Sequence, residues 1–315
     1  MAESAALSLP VAATSGRRLP FWGDVLRRLV REKPLGLIGA ILVITFLVMA
    51  IAAPLIAPSG PSELGAGRRL DGPSASHIFG TDNLGRDVFS RVVYGARVSM
   101  TIGFLSIFIS TLLALTIGVL SGYFGGIIDM LAQRLVDAFM AFPALVFLIA
   151  VGGMFGNAQI PGLPDQGLFS TRVVVLIISL GLLFGVGSSR IIRSATLSVK
   201  SSAFIEASRA TGATHTRLIF VHVLPNVMAP TITLATLGLG GVILAEAGLA
   251  FLGLSVPPDQ VTWGGMLRSE ARSFMVQAPW LAIFPGLALS LAVFGFNMLG
   301  DALRDILDPR LRGSR

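Results

Sequence analysis

The chain has 315 residues, of which 53% are hydrophobic and 13% are charged, and its mean hydropathy is +0.79. Soluble domains carry about 25% charged residues, so this composition excludes an ordinary soluble protein and predicts a membrane protein. The net charge of +7 is spread over connecting segments without a basic stripe, which argues against nucleic-acid binding, and the absence of cysteine excludes disulfides and cysteine-based sites.

Six apolar runs are long enough to cross a membrane as helices. A helix needs about 20 apolar residues to cross roughly 30 Å of hydrocarbon. The runs are continuous rather than alternating, so they do not predict the strands of a membrane barrel. They lie near residues 36–57, 98–122, 129–153, 172–190, 229–251 and 281–302. The sequence therefore predicts an all-α polytopic membrane protein with six transmembrane helices.

The basic residues predict the orientation of these helices, because positively charged short loops stay on the cytoplasmic side. With a cytoplasmic N-terminus, 16 of the 24 basic residues lie inside. Both termini are therefore predicted to be cytoplasmic. The inside residues are Arg17, Arg18, Arg27, Arg28, Arg31, Lys33, Arg134, Arg190, Arg193, Lys200, Arg209, Arg217, Arg304, Arg310, Arg312 and Arg315. The outside residues are Arg68, Arg69, Arg86, Arg91, Arg97, Arg172, Arg268 and Arg272.

This topology divides the chain into a cytoplasmic N-terminal tail, 1–34, and a transmembrane domain, 35–315. The first apolar run has the length of a full span and no cleavage-site pattern, so we expect it to be an anchor that is retained rather than a cleaved signal. The domain has an outer loop at 58–97, a cytoplasmic loop at 191–228 and a second outer loop at 254–280.

Several polar and charged residues near the ends of the predicted spans have plain structural interpretations. Thr81 or Asp82 is a candidate cap for a short interfacial helix in the first outer loop. In the third span, Arg134 and Asp137 share a helix face, which predicts an ion pair rather than a proton relay. A C-terminal cluster, Asp301, Arg304, Asp305 and Asp308, predicts solvated salt bridges.

Glycines recur at four-residue spacing within three of the spans. Such spacing lets two helices approach closely in lipid, so we expect these glycines to pack against other helices rather than to bind a ligand. The pairs are Gly118 with Gly122, Gly152 with Gly156, and Gly181 with Gly185.

The cytoplasmic loop contains a polar stretch, EASRATGATHTRLIFVHVLPN, that predicts two short helices. Ser202 is placed to cap the first, Gly212 to end it in a left-handed conformation, and Thr214 to cap the second, which is predicted to end before Leu224. An interfacial helix on lipid would show a bulky apolar face, whereas the first helix is mostly alanine, serine and threonine. We therefore expect it to dock in a groove of a partner protein.

The same stretch resembles the EAA loop of bacterial ABC importer permeases. The family pattern is Glu-Ala-Ala, three residues, Gly, nine residues, Ile, one residue and Leu-Pro. Here it reads Glu206-Ala207-Ser208, Gly212 and Leu224-Pro225, with Ser208 in place of the second alanine and His222 at the isoleucine position.

Four further blocks resemble the dipeptide/oligopeptide/nickel permease family, in particular its DppC/OppC-type subunit. They cover most of the chain from about residue 30 onward. The blocks are GTDNLGRDVFSRVVYGARVS at 80–99, GYFGGIIDMLAQRLVDAFMAFP at 122–143, EAGLAFLGLSVPPDQVTWGGML at 246–267 and FNMLGDALRDILDPR at 296–310.

The resemblance implies the ABC importer permease fold and a division of labour between subunits. The partners would be a sister permease, two ATPase subunits that bind ATP and magnesium, and an extracytoplasmic solute-binding protein, all at the bacterial inner membrane. This chain itself would bind no cofactor or metal. Its only lysines, Lys33 and Lys200, follow Glu32 and Val199, so it lacks the Gly-Lys of a P-loop.

The resemblance also implies roles for particular residues. The predicted coupling residues are Glu206, Ala207, Ser208, Arg209, Gly212, Leu224 and Pro225, with Ala207 and Gly212 setting the shape and Glu206 the orientation. Glu206 and Arg209 can pair with each other or with the ATPase. Glu246, an acid at membrane depth, would face the substrate path or the sister subunit. Independently of the resemblance, the position of Asp82, Arg86 and Asp87 in the outer loop just before the second span suggests that they dock the binding protein.

Other functions stay open at this point. A nickel or other small-solute importer of the same family is one alternative to a peptide importer. A polytopic membrane enzyme is another, although the three histidines, His77, His215 and His222, lie in loops on opposite sides and no HExxH is present. A proton-coupled carrier is a third, although no chain of ionisable residues crosses the midplane.

Overall fold

The apolar runs form long α-helices in the computed structural model, which describes residues 21–155, 160–257, 260–268 and 270–307. Every regular element of this described part is helical, apart from an isolated bridge between Thr81 and Asp87. The helices are α1 (Phe21–Glu32), α2 (Pro34–Ile51), α3 (Ala53–Ile56), α4 (Val88–Phe124), α5 (Gly126–Met140), α6 (Ala144–Phe155), α7 (Thr171–Lys200), α8 (Ala203–Ala210), α9 (His215–Arg217), a π-helix (Leu218–Val223), α10 (Leu224–Leu252), α11 (Trp263–Arg268), α12 (Glu270–Phe274) and α13 (Trp280–Leu307).

Five helical stretches of the described chain are long and apolar enough to cross a membrane, and a bent pair makes a sixth. They match the six predicted spans in position. The single stretches are α2, α4, α7, α9 to α10, and α13, and the bent pair is α5 with α6. The multi-span, all-helical fold predicted from hydropathy is therefore confirmed.

The third span differs from its prediction, which was one helix over 129–153. The chain instead forms α5 and α6, which meet at 81° with a break of three residues. Pro143 lies in this break and explains it, because proline cannot donate a backbone hydrogen bond and disfavours the α conformation in the residue before it.

Several helices extend well past the predicted spans. Residues 88–97 of the predicted outer loop 58–97 belong to α4, and residues 191–200 of the predicted loop 191–228 belong to α7. Hydropathy detects only the apolar part of a helix, whereas the backbone stays helical through polar residues while its hydrogen bonds are satisfied. The predicted loop 254–280 likewise contains α11 and α12.

The predicted glycine pairs join α4 to α7. A β-carbon at Gly118 would come within 2.7 Å of the Ser189 carbonyl oxygen, and one at Gly185 would come within 2.8 Å of the Ser110 carbonyl oxygen. A β-carbon at Gly122 would likewise come too close to Thr196, and one at Gly181 would come too close to Ile109. The packing role predicted for these two pairs is thus confirmed. Gly156, of the third pair, lies outside the described residues.

The first and last spans pack together at the end of the bundle that carries α8, called here the α8 end. Lys33 forms an ion pair with Asp305 of α13, and Val25 and Leu29 of α1 are buried against the last turns of the same helix. A cavity borders both the end of α7 and Leu307, so the C-terminal end of α13 also lies at the α8 end.

Candidate coupling site

The candidate site is the short connection between α7 and α9, with α8 as its centre. Ser202 occupies the N-cap position of α8, with the extended backbone that a cap requires. Its hydroxyl, however, donates to the carbonyl of Val199 and does not cap α8. The predicted position of the helix start is therefore right and the predicted side-chain cap is wrong.

Gly212 ends α8 as predicted, with a left-handed φ of 82°. The amide of Ala213 donates to the Ser208 carbonyl at 3.1 Å, which closes the end of the helix. Thr214 then accepts a hydrogen bond from the amide of Arg217 at 3.4 Å and caps α9, also as predicted. The local turn chemistry was thus readable from the sequence.

One side chain anchors α8 to the rest of the molecule. Ile205 is completely buried, in an apolar cluster that includes Tyr123 of α4, Ile192 of α7 and Val227 of α10. The sequence reasoning did not single out Ile205, although it is one of only two bulky apolar residues in α8. The other, Phe204, is 45% exposed.

The remaining predicted residues of α8 present an open surface. Glu206, Ala207 and Arg209 are exposed. Within the described part of the chain neither Glu206 nor Arg209 forms a side-chain hydrogen bond or an ion pair, so the predicted pair between them is not made. Ser208 donates its hydroxyl back to the Phe204 carbonyl at 2.8 Å, which explains why serine fits where the family pattern has alanine.

The chain after α9 differs from its prediction. The second short helix was expected to end before Leu224 and Pro225, but the helical backbone continues through a π-helical turn into α10. Pro225 lies in the first turn of α10, where a missing amide is tolerated. The Asn226 side chain donates to the His222 carbonyl at 2.6 Å, within this transition. Leu224 and Pro225 therefore lie within a continuous helical segment and do not end the second short helix.

A hydrogen bond between Tyr123 and His215 joins the end of α4 to the start of α9. The Tyr123 oxygen and His215 Nδ1 are 2.8 Å apart, and the Lys200 ammonium lies 5.9 Å from the Tyr123 ring centre. These three residues tie the ends of α4 and α7 to the exit from α8. Sequence reasoning missed this contact because 92 residues separate its two partners.

Ion pairs between α5 and α7 lie near the same end. Arg193 binds Asp129 through two nitrogens, both at 2.5 Å, and Arg190 binds Asp137. The predicted pair between Arg134 and Asp137 is therefore wrong. The Asp137 carboxylate binds an arginine of the neighbouring helix α7 instead of Arg134 on its own helix.

At the opposite end, the predicted docking residues form an internal network. Asp82 is fully buried, accepts from the Leu84 and Arg86 amides and lies 2.5 Å from Arg86 Nε. Asp87 caps α4 by accepting from the Ser90 amide at 2.8 Å, and it contacts His77 at 3.1 Å. The expected interfacial helix capped by Thr81 or Asp82 is absent from this described loop. Both carboxylates are buried and engaged inside the loop, and the docking role of Asp82, Arg86 and Asp87 stays a prediction.

Glu246 is also engaged inside the chain. It is 1% exposed in α10, and it accepts a hydrogen bond from Ser255 at 2.8 Å and one from Ser99 at 3.5 Å. Serine hydroxyls from the loop and from α4 thus satisfy a carboxylate that would otherwise be costly to bury. In this conformation Glu246 does not line an open path, and its predicted role toward substrate or sister subunit stays a prediction.

A cavity of about 620 Å³ opens at the α8 end between α7, α10 and α13. Its wall combines apolar side chains with hydroxyls, and Arg304 is its charged residue. The wall residues are Ile191, Ser194, Ala195, Ser198, Val199, Ala229, Pro230, Thr233, Leu234, Leu237, Arg304 and Leu307. Among the described residues no group of three His, Asp or Glu side chains is arranged to hold a metal.

Comparison with known proteins identifies two matching families. Residues 114–313 match the family described as binding-protein-dependent transport system inner membrane component. Residues 20–73 match the N-terminal transmembrane domain of oligopeptide transport permease C.

Two curated relatives align over nearly their whole length. The dipeptide transport system permease protein DppC of Alkalihalophilus pseudofirmus is 40% identical over 291 residues, which cover 92% of this chain and 90% of the relative. The glutathione transport system permease protein GsiD of Escherichia coli is 37% identical over 307 residues, which cover 97% and 96%.

A solved structure has a similar fold. A chain of the inward-facing methionine ABC transporter MetNI aligns with a TM-score of 0.55 at 18% identity, over 69% of this chain and 96% of that chain. At this identity the match concerns the fold alone.

Proposed function

Because this chain belongs to the family of binding-protein-dependent transport system inner membrane components, we propose that it is the permease subunit that forms half of a peptide translocation pathway in a bacterial ABC importer. The peptide class follows from relatives named for dipeptide and glutathione transport, which favour peptides over nickel or an enzymatic reaction. The bacterial inner membrane is the site of action, and the positive-inside pattern supports cytoplasmic termini.

The partners in this proposal are a sister permease, two ATPase subunits and an extracytoplasmic solute-binding protein. ATP and magnesium would bind to the ATPase subunits and not to this chain. The concave wall between α7, α10 and α13 supports a pathway shared with a sister permease, because one chain supplies only one side of it.

The exposure of α8 is the observation that supports coupling most directly. Ile205 is the fully buried side chain of this helix, while Glu206, Ala207 and Arg209 are exposed. A small helix that projects in this way is suited to a groove in an ATPase subunit. The left-handed conformation of Gly212 ends α8 and reverses the direction of the chain, which keeps the helix short.

Movement of α8 would be transmitted to the spanning helices through its anchor. Ile205 packs against side chains of α4, α7 and α10, and the hydrogen bond from Tyr123 to His215 joins α4 to α9. When the ATPase subunits close, α8 would move with its groove and tilt α7 and α10 together. The shift between inward- and outward-facing states is limited by the difference in ATP affinity between those states.

A pull-down from the native membrane tests this proposal. We expect the tagged chain to retain a second permease and the ATPase subunits, whereas Gly212→Arg should keep the permease and lose the ATPases. Gly162→Arg is the matched control, since Gly162 also has a positive φ, 91°, and open space around it, but lies in the loop before α7. A chain that purifies alone, or ATPase retention by Gly212→Arg, would contradict the proposal.

A further inference from the structure

Helix α1 lies at the edge of the membrane because of its connection to α2. Only Lys33 separates the end of α1 from the start of α2, a membrane-spanning helix. Consecutive α-carbons are about 3.8 Å apart, so the end of α1 cannot leave the level at which α2 enters lipid. The ion pair of Lys33 with Asp305 fixes this junction to α13.

The described side chains of α1 form four parallel strips, since residues four apart share a helix face. Val25 and Leu29 form the first strip and are buried, at 6% exposure each, against α13. Leu26 and Val30 form the second strip and are 61% and 50% exposed.

Arg27 and Arg31 form the third strip, which borders the exposed apolar one. Both arginines are exposed, and neither makes a hydrogen bond or ion pair within the described chain. By contrast, Arg28 and Glu32, on the other side of the buried strip, each interact with another group. The basic strip is therefore oriented away from the protein and beside an apolar edge.

We propose that α1 binds acidic phospholipid headgroups through Arg27 and Arg31, with Leu26 and Val30 inserted among the upper acyl chains. This combination of an apolar strip with flanking basic residues is how helices bind in the plane of an anionic membrane surface.

A lipid surface fits this strip better than a protein partner because Lys33 alone joins α1 to a membrane-spanning helix with exposed aliphatic side chains. On α2, Leu35, Ile38 and Ile41 are 59%, 48% and 55% exposed. They belong to a span, where exposed aliphatic side chains meet acyl chains. The junction at Lys33 therefore holds Leu26 and Val30 at the level where acyl chains begin.

The lipid dependence of the full importer complex tests the arginines. The complex would be reconstituted in phosphatidylcholine with and without phosphatidylglycerol, and the lipid retained on purification would be measured. We expect Arg27→Gln with Arg31→Gln to lower the preference for phosphatidylglycerol about fivefold per arginine at low salt. The matched control is Arg68→Gln with Arg272→Gln, which removes two exposed charges at the opposite end. Equal loss in both double variants, or no loss in either, would overturn the proposal.

A spin label tests the position of the apolar strip. The chain has no cysteine, so Leu26→Cys provides a single labelling site in it. We expect the label to collide with lipid-soluble oxygen more than with a water-soluble nickel chelate. A label at Leu64→Cys, in an exposed loop at the opposite end, should show the reverse. A Leu26→Cys label shielded from both reagents would mean that a protein subunit covers α1, and one accessible mainly to the chelate would mean that water does; either result overturns the proposal.

Discussion

Glu246 and Glu206 are the same residue type in different environments, and the environment determines whether the carboxylate binds groups inside the subunit or stays available to a partner protein. Glu246 is buried and accepts hydrogen bonds from Ser255 and Ser99, so its carboxylate holds a loop and a helix against α10. Glu206 is exposed on α8 and has no side-chain partner in the described chain. A partner protein can therefore use Glu206 without breaking any contact inside this subunit.

Replacement of these two glutamates should change the free energy of unfolding by very different amounts. We expect Glu246→Leu to lower the free energy of unfolding by about 1–3 kcal/mol, because buried hydroxyls lose their acceptor. Glu246→Gln should cost less, since the amide oxygen remains an acceptor. Thermal unfolding of the detergent-purified subunit would measure both, with Glu206→Leu as the control, expected to change stability by less than about 0.5 kcal/mol. Equal destabilisation by Glu206→Leu would show that Glu206 has an internal partner.

Pairs of helices determine how a displacement of α8 can spread. The close contact of α4 and α7 depends on glycines on both helices, and the same two helices reach the exit of α8 through Tyr123 and Lys200. Since packed helices move as rigid units, α4 and α7 should follow α8 together.

Loss of the Tyr123 hydroxyl should weaken this transmission. We expect Tyr123→Phe to leave the assembled complex intact, because the ring keeps its place in the apolar cluster. The variant should lower peptide uptake per ATP hydrolysed, since α4 is no longer bonded to α9 through His215. Uptake and hydrolysis measured in the same reconstituted vesicles would give this ratio, with Tyr94→Phe as a control outside the cluster. An unchanged ratio would mean that the hydrogen bond is not needed for transmission.

The close contact of α7 with α4 at Gly185 can be tested against Gly187, a second glycine of the same helix. We expect Gly185→Ala to destabilise the subunit by about 1–3 kcal/mol, because the new methyl group would meet the Ser110 carbonyl oxygen at 2.8 Å. Gly187→Ala should be neutral or stabilising by up to about 1 kcal/mol, since a β-carbon there meets nothing within 4 Å. Thermal unfolding of the two variants would compare them directly. Similar losses in both would indicate a general intolerance of α7 to alanine.

At the scale of the whole molecule, the proposed function requires this subunit to convert a movement of its ATPase partners into a change of shape. It exposes α8 at one end and buries a charged network at the other. Neither of its lysines follows a glycine as in a P-loop, and the proposal therefore assigns ATP hydrolysis to partner subunits.

The energy source of transport is accordingly a prediction about the complete complex. We expect peptide uptake into native membrane vesicles to continue when the proton gradient is dissipated while ATP is supplied. A P-loop lysine replacement in the partner ATPases should abolish this uptake. If uptake instead collapses with the proton gradient while ATP remains, the chain would be a proton-coupled carrier and the proposed coupling role of α8 would be wrong.

Features encoded within a few residues were predictable from the sequence. Runs of apolar residues locate the spans, because burial of a helix in lipid depends on its own composition. Gly212 and Thr214 identify the turn after α8, because backbone conformation and capping are local properties. The four-residue glycine spacing likewise indicated close packing, although not which helices would meet.

Features that join distant parts of the chain were decided only by the tertiary structure. The partner of Asp137 is Arg190 rather than Arg134, Tyr123 meets His215, and Asp82 and Asp87 are internal rather than exposed. The 81° angle between α5 and α6 and the continuous helix through Pro225 belong here as well, although Pro143 marks locally where the third span breaks. In each case several local arrangements are compatible with the residue types, and contacts with other elements of the fold select the one that is adopted.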